Sequence, residues 1–193
     1  MSNKCHSEEI LAHEAAHVLV AWYSPFFTRV NRVVCTYRDS GVMSANFHFN
    51  SPPFEWDHLS VTLAGLAGAL SRFDTVRLEG NEPDLSEAFR IAEWLTLNSA
   101  DPETAMIWDF KEGTSAPPFQ RMLKRRQTPQ VIRLMRIGYW RANEIIRAHR
   151  TAFIVLITLL RKHRTLSMKE LYSILGEPTV MDEESVTLIK RMY

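Results

Sequence analysis

Cysteine is scarce: only Cys5 and Cys35 occur in 193 residues. Two cannot build a disulfide framework, and they match no clustered zinc spacing, so a reducing interior is the expected home. Long apolar runs are equally short. The strongest, Thr151 to Leu160, lies between Arg150 and Arg161 and is about half of the roughly 20 residues that a spanning helix needs. The opening MSNKCHSEE lacks the apolar core of a secretory signal, so the expectation is a cytoplasmic protein with no membrane anchor of its own. An excess of one charge is also missing, since 23 Lys and Arg stand against 22 Asp and Glu. That balance gives no global reason to expect nucleic acid or an anionic membrane as partner. No Gly/Ser linker, repeat or low-complexity block divides the chain, which reads as one domain over residues 1–193, long enough for a buried core. Apolar content of 46% and charged content of 23% are those of a folded protein.

What is present organises into a mainly helical pattern with one small antiparallel sheet, an α+β fold class. Ser7 is a candidate N-cap, Glu8 and Glu9 suit the positive end of a helix dipole, and Ile10, Leu11, Val18, Leu19 and Trp22 supply apolar cover up to a stop near Ser24-Pro25. RVNRVVCTY and GVMSANFHF are rich in β-formers and separated by RDS, which predicts a hairpin closed by Pro52-Pro53. From Trp56 to about Phe73 the run is almost continuously apolar with small residues. A helix buried on most sides is expected there, with Gly65 and Gly68 permitting close packing. A further helix should begin near Pro83 or Asp84, with Asp84 in its first turn. Residues 100–128 show little periodicity apart from short helical pieces near Phe119 to Arg126, and helical spacing resumes from Pro129 to about His163. TLSMKELYSIL predicts a short helix capped by Ser167 with Glu170 three residues on.

The chemistry concentrates at residues 13–17, His-Glu-Ala-Ala-His. Positions four apart share a helix face, so His13 and His17 can address one metal ion, and in this spacing Glu14 is placed to take a proton from the attacking water. The competing reading is a helix that merely carries two histidines. Alanines between the ligands leave room for a metal, and the apolar flanks imply burial, where imidazoles and a carboxylate need partners. A catalytic zinc takes three protein ligands and keeps one position open. Candidates for the third are His48, Glu55, Asp57, His58, Asp74, Glu79, Glu82, Asp84 and Glu87. Asp84 stands out because it starts a helix after a turn. His48 and His58 read as strand-surface and helix-start histidines, with His58 the alternative ligand. RMLKRR with Arg133, Arg136, Arg141 and Arg147 reads as a solvated helix face rather than a nucleic-acid site. The dispersed Trp22, Trp56, Trp94, Trp108 and Trp140 read as core or interface residues.

With these residues in view the chain resembles the peptidase domain of the FtsH family of ATP-dependent zinc metallopeptidases. ILAHEAAHVLVAW looks like its HEAGH helix, VNRVVCTYRDSGVMSANF its hairpin, LAGLAGALSRF its small-residue helix, and GNEPDLSEAFRIAEWL the segment with its aspartate ligand. RANEIIRAHRTAFIVLITLLRKHRTLSMKELYSIL matches the character of its closing helices. The resemblance implies that His13, His17 and Asp84 bind one Zn2+ per chain and that Glu14 is the catalytic acid/base. It also implies that substrate backbone lies along an edge strand at Gly41, Val42, Met43 and Ser44. Departures are Ala16 where the family has glycine, Leu66, Ala69 and Leu70 where it has an arginine and acids, and residues 100–128. No G-x-x-x-x-G-K-[ST] phosphate loop occurs.

The implied function is a zinc metalloendopeptidase that hydrolyses peptide bonds in unfolded or flexible polypeptides. Two alternatives stay open: a stand-alone regulatory protease that cuts a repressor-like protein, and a non-catalytic zinc-containing peptide-binding module. A polypeptide is the expected substrate. A separate ATPase or adaptor and a homo-oligomer are open as partners, whereas nucleic acid and membrane are not expected.

Overall fold

The computed structural model describes residues 2–25, 27–35, 41–47, 52–73, 81–98 and 117–178. These are mostly helical with a small antiparallel sheet. Helix α1, Ser2–Trp22, is covered on almost every side: Leu11, Ala12, Ala15, Ala16, Val18, Leu19, Val20 and Ala21 have no exposure at all. It starts earlier than the Ser7 cap predicts, because nothing in residues 2–6 breaks a helix, and Ser7 lies inside it. Glu8 pairs across the fold with Arg161 rather than marking a helix start. The helix ends at Trp22, where Ser24 precedes Pro25 and is biased away from helical geometry.

Strands β1, Phe27–Cys35, and β2, Gly41–Phe47, form the expected hairpin, with Val33 opposite Met43 and Cys35 opposite Gly41. The connecting Arg38-Asp39-Ser40 lies outside the described residues. A third strand, β3 at Thr165–Ser167, pairs with the other side of β1 through Val33 and Leu166. Three residues are too few for alternation to signal a strand. The order β2-β1-β3 leaves β2 at an edge of the sheet.

Pro52 opens helix α2, Pro52–Arg72, so the Pro-Pro pair belongs to a helix start, where a missing N–H costs nothing. Helix α3, Glu82–Asn98, starts at Glu82 and carries Asp84 in its first turn as predicted. The following helices correct the sequence pattern. Helix α4 runs Pro117–Ala148 with Pro129 inside it, and α5 runs Arg150–His163. Helical spacing alone places a start at Pro129, but proline can sit inside a helix at the loss of one backbone hydrogen bond. The break falls at His149, φ −112° and ψ 32°, where no glycine or proline announces it. Helix α6, Met168–Leu175, carries the predicted capping box between Ser167 and Glu170.

Helix α2 joins two cores. On one side α1, α2, α5, α6 and the sheet bury Leu19, Trp22, Val33, Phe153, Leu160 and Leu171. On the other, Leu59 and Leu63 of α2 meet Ile91 and Leu95 of α3 and Val131 of α4. Each such aliphatic side chain stabilises by about 1.5–3 kcal/mol. The fully buried Asp57 of α2 pairs with Arg141 of α4 and ties those helices together. Among the described residues no helix is long and apolar enough to cross a membrane.

Candidate metal centre

Helices α1 and α3 bring three donor atoms to one point. His13 Nε2 lies 2.9 Å from His17 Nε2, and Asp84 Oδ2 lies 3.0 Å from each. The imidazoles meet edge to face, with ring centroids 4.6 Å apart. Among the described residues this is the one group of three or more such side chains able to hold a metal.

Helix α2 shapes the pocket through its backbone. The Nδ1 of His17 is 2.7 Å from the carbonyl oxygen of Val61. A carbonyl only accepts, so Nδ1 carries the proton and a neutral His17 presents a lone pair at Nε2. Gly65 faces the imidazole of His13, and a Cβ there would lie 2.3 Å from its Cε1. One turn on, a Cβ at Gly68 would lie 2.3 Å from the Cβ of Ala16 and 2.8 Å from the carbonyl oxygen of Ala12. The two glycines therefore have different tasks: Gly65 makes room for the His13 ring, and Gly68 lets the helices touch.

The donors fit a cation. With Nδ1 of His17 committed to Val61, its Nε2 lone pair faces the Asp84 carboxylate, an acceptor against an acceptor unless a positive charge lies between them. Three atoms about 3 Å apart can all be reached at about 2.0–2.2 Å by one ion, and two imidazoles with a carboxylate are a zinc ligand set that leaves a position open.

The electrostatics show the same demand for positive charge at this point. Burial opposes ionisation of Asp84, but with a protonated imidazole in the cation's place, hydrogen bonds from His13 and His17 and their charges hold its carboxyl well below the usual carboxylate range. Burial pulls His17 down. The Asp84 hydrogen bond, the charges of Asp84 and Glu14, and the Val61 carbonyl outweigh that pull and raise it. Glu14 is 5% exposed; burial raises its pKa, the two histidines draw it down, and Asp84 adds to the rise.

Of the other candidates for the third ligand, Glu55 and His58 pair with each other at 3.3 Å, Asp57 pairs with Arg141, and Glu87 pairs with Arg90. Glu82 is exposed, and His48, Asp74 and Glu79 lie outside the described residues. Gly41, Val42, Met43 and Ser44 lie on the edge strand β2, with Met43 packed against the core. The thiol of Cys35, at the end of β1, is pushed up to about 12 by burial first and the nearby Glu14 charge second.

The contact missed in the sequence is the Val61 carbonyl, since a backbone acceptor leaves no mark on residue type. Gly65 was visible only as one of several small residues in its helix. Comparison with protein families gives no match, and comparison with curated proteins gives none.

Proposed function

We propose that this protein is a zinc metallopeptidase of the FtsH peptidase type, acting on unfolded or flexible polypeptide. The observation that carries the proposal is the convergence of His13, His17 and Asp84 beside the buried Glu14. His13 and His17 would hold the zinc from α1 and Asp84 from α3. Bound zinc would supply Lewis acidity, lowering the pKa of water toward about 7 and polarising a carbonyl. The chain's own residues do the rest. Val61 fixes the His17 tautomer that leaves Nε2 available, and Gly65 keeps His13 in place. Glu14 accepts the proton of the attacking water and passes it to the leaving amine.

Substrate would lie along β2 as an added strand, held first by its backbone. That mode requires an extended segment, which a folded substrate does not offer unless a separate ATPase or adaptor presents it. A cytoplasmic setting suits a buried free thiol such as Cys35.

Metal analysis and peptide hydrolysis of wild type, Glu14→Gln and Asp84→Ala test the proposal. Glu14→Gln should keep zinc and lose about 10²–10⁴-fold in hydrolysis. Asp84→Ala should weaken zinc binding by more than the roughly 10–100-fold typical of losing an outer partner. Equal zinc affinity after Asp84→Ala refutes the ligand assignment, and iron in place of zinc in the purified protein refutes the choice of metal. Undiminished hydrolysis by Glu14→Gln refutes the role of that carboxylate.

A further inference from the structure

Away from the metal centre, the solvent side of α4 presents Ile132, Ile137 and Trp140 at 42%, 43% and 60% exposure. The exposed Arg133 and Arg136 alternate with them. Positions 132, 136 and 140 form one row and 133, 137 and 140 another, so all five share a face. At 1.5 Å per residue the face runs about 12 Å, slightly more than two turns. Single exposed apolar residues are ordinary, but a tryptophan with two isoleucines on one face is a patch. The opposite side of α4 already packs Val131, Leu134 and Met135 into the second core, so among the described residues this face is left to solvent.

Charge narrows what can cover it. Arg141 pairs with Asp57, and Arg147 pairs with Glu144 at 2.9 Å. Arg133 and Arg136 make no ion pair among the described residues. A second copy laid on this face would set arginines against arginines, with Glu144 already engaged. Nucleic acid would meet, among the described side chains, three large apolar groups around Arg133 and Arg136. A segment combining apolar side chains with carboxylates satisfies both parts of the surface.

We propose that this face of α4 docks an acidic amphipathic helix of a separate protein, with its apolar side chains over Ile132, Ile137 and Trp140 and its carboxylates on Arg133 and Arg136. Two turns is the usual spacing of anchors for a helix lying on a partner, and tryptophan and arginine are the residues that most often dominate such contacts.

The test uses the full chain and a labelled synthetic helical peptide with leucines on one face and glutamates flanking them, beside the same peptide with glutamines for glutamates. Fluorescence polarisation should show saturable binding of the acidic peptide. Binding should weaken at least tenfold in Trp140→Ala, in the double variant Arg133→Gln/Arg136→Gln, and on raising salt from about 0.05 to about 0.5 M. Zinc affinity and melting temperature should stay at wild-type values in all variants, since the residues are exposed and α4 supplies none of the three candidate ligands. Equal binding of the glutamine peptide, indifference to the substitutions, or no saturable binding overturns the proposal. So does preferential binding of phosphatidylserine vesicles or single-stranded RNA, or a dimer in light scattering that Trp140→Ala dissolves. None of these readouts needs hydrolysis, so the docking surface and the peptidase assignment stand or fall separately.

Discussion

Replacing Gly65 with alanine should damage the metal site while leaving the fold nearly untouched. A Cβ at Gly65 would lie 2.3 Å from Cε1, 2.5 Å from Nδ1 and 2.6 Å from Nε2 of His13, so it overlaps that edge of the imidazole. Ordinary carbon contacts begin near 3.5 Å, so the ring must retreat by about 1 Å. A side chain can do that by turning about χ1, at a cost of about 0.5–1.5 kcal/mol for an off-rotamer position. The gain in helix propensity from glycine to alanine, about 0.5–1 kcal/mol, offsets most of it. Metal binding has no such freedom, because ligand distances tolerate only about 0.2 Å. Zinc affinity should therefore fall by about 100-fold or more, roughly 2.7 kcal/mol, the upper end of what loss of an outer partner costs. Competition with a chromophoric chelator measures the affinity, and melting of the metal-free protein measures the fold.

Gly68→Ala is the contrast. Its Cβ would meet the Cβ of Ala16 and the backbone oxygen of Ala12, neither of which can swing aside. Helices α1 and α2 must then separate, at about 1–3 kcal/mol or more, which lowers the melting temperature by roughly 2–12 °C in a chain of this size. Wild-type zinc affinity in Gly65→Ala would contradict the placement of the His13 ring. Equal destabilisation by both substitutions would contradict the distinction between a mobile side chain and a fixed backbone.

Arg141→Met removes the cation paired with a carboxylate that has no exposure. Because Arg141 is itself partly exposed, a loss of about 2–4 kcal/mol is expected, at the lower end for breaking a buried pair. Urea melts check it, and a midpoint unchanged in both protein and slope would show that Asp57 does not depend on this arginine. Ser167→Ala should cost about 1 kcal/mol through loss of the α6 cap. The hydrogen bond from the Ser167 backbone N–H, then that from its side chain, lowers the pKa of Glu170. The capping contribution is thus present above the ordinary glutamate pKa and fades as pH falls through the lowered value. Thermal melts of Glu170→Gln should lose part of that acid dependence, and a profile identical to wild type would remove the box from the stability of α6.

The face shared by His13 and His17 and the cap of α6 were legible in residues 13–17 and 167–170, because each depends on partners three or four positions away on one helix. Periodicity misplaced the limits of α4 and α5 for the opposite reason: Pro129 is accommodated and the turn at His149 carries no special residue. The strand β3 was hidden because its pairing is made by β1, far back in the chain.

The sequence by itself determined which residue types were available to bind a metal and that two of them shared a face. It left nine candidates for the third position, with resemblance favouring Asp84. Only the tertiary structure decided among the described candidates, by packing the first turn of α3 against α1 so that Asp84 Oδ2 meets both imidazoles. It also decided the tautomer of His17, since a backbone carbonyl at Val61 faces Nδ1 whatever side chain stands there. Local periodicity encodes faces, whereas convergence of distant faces is a property of packing.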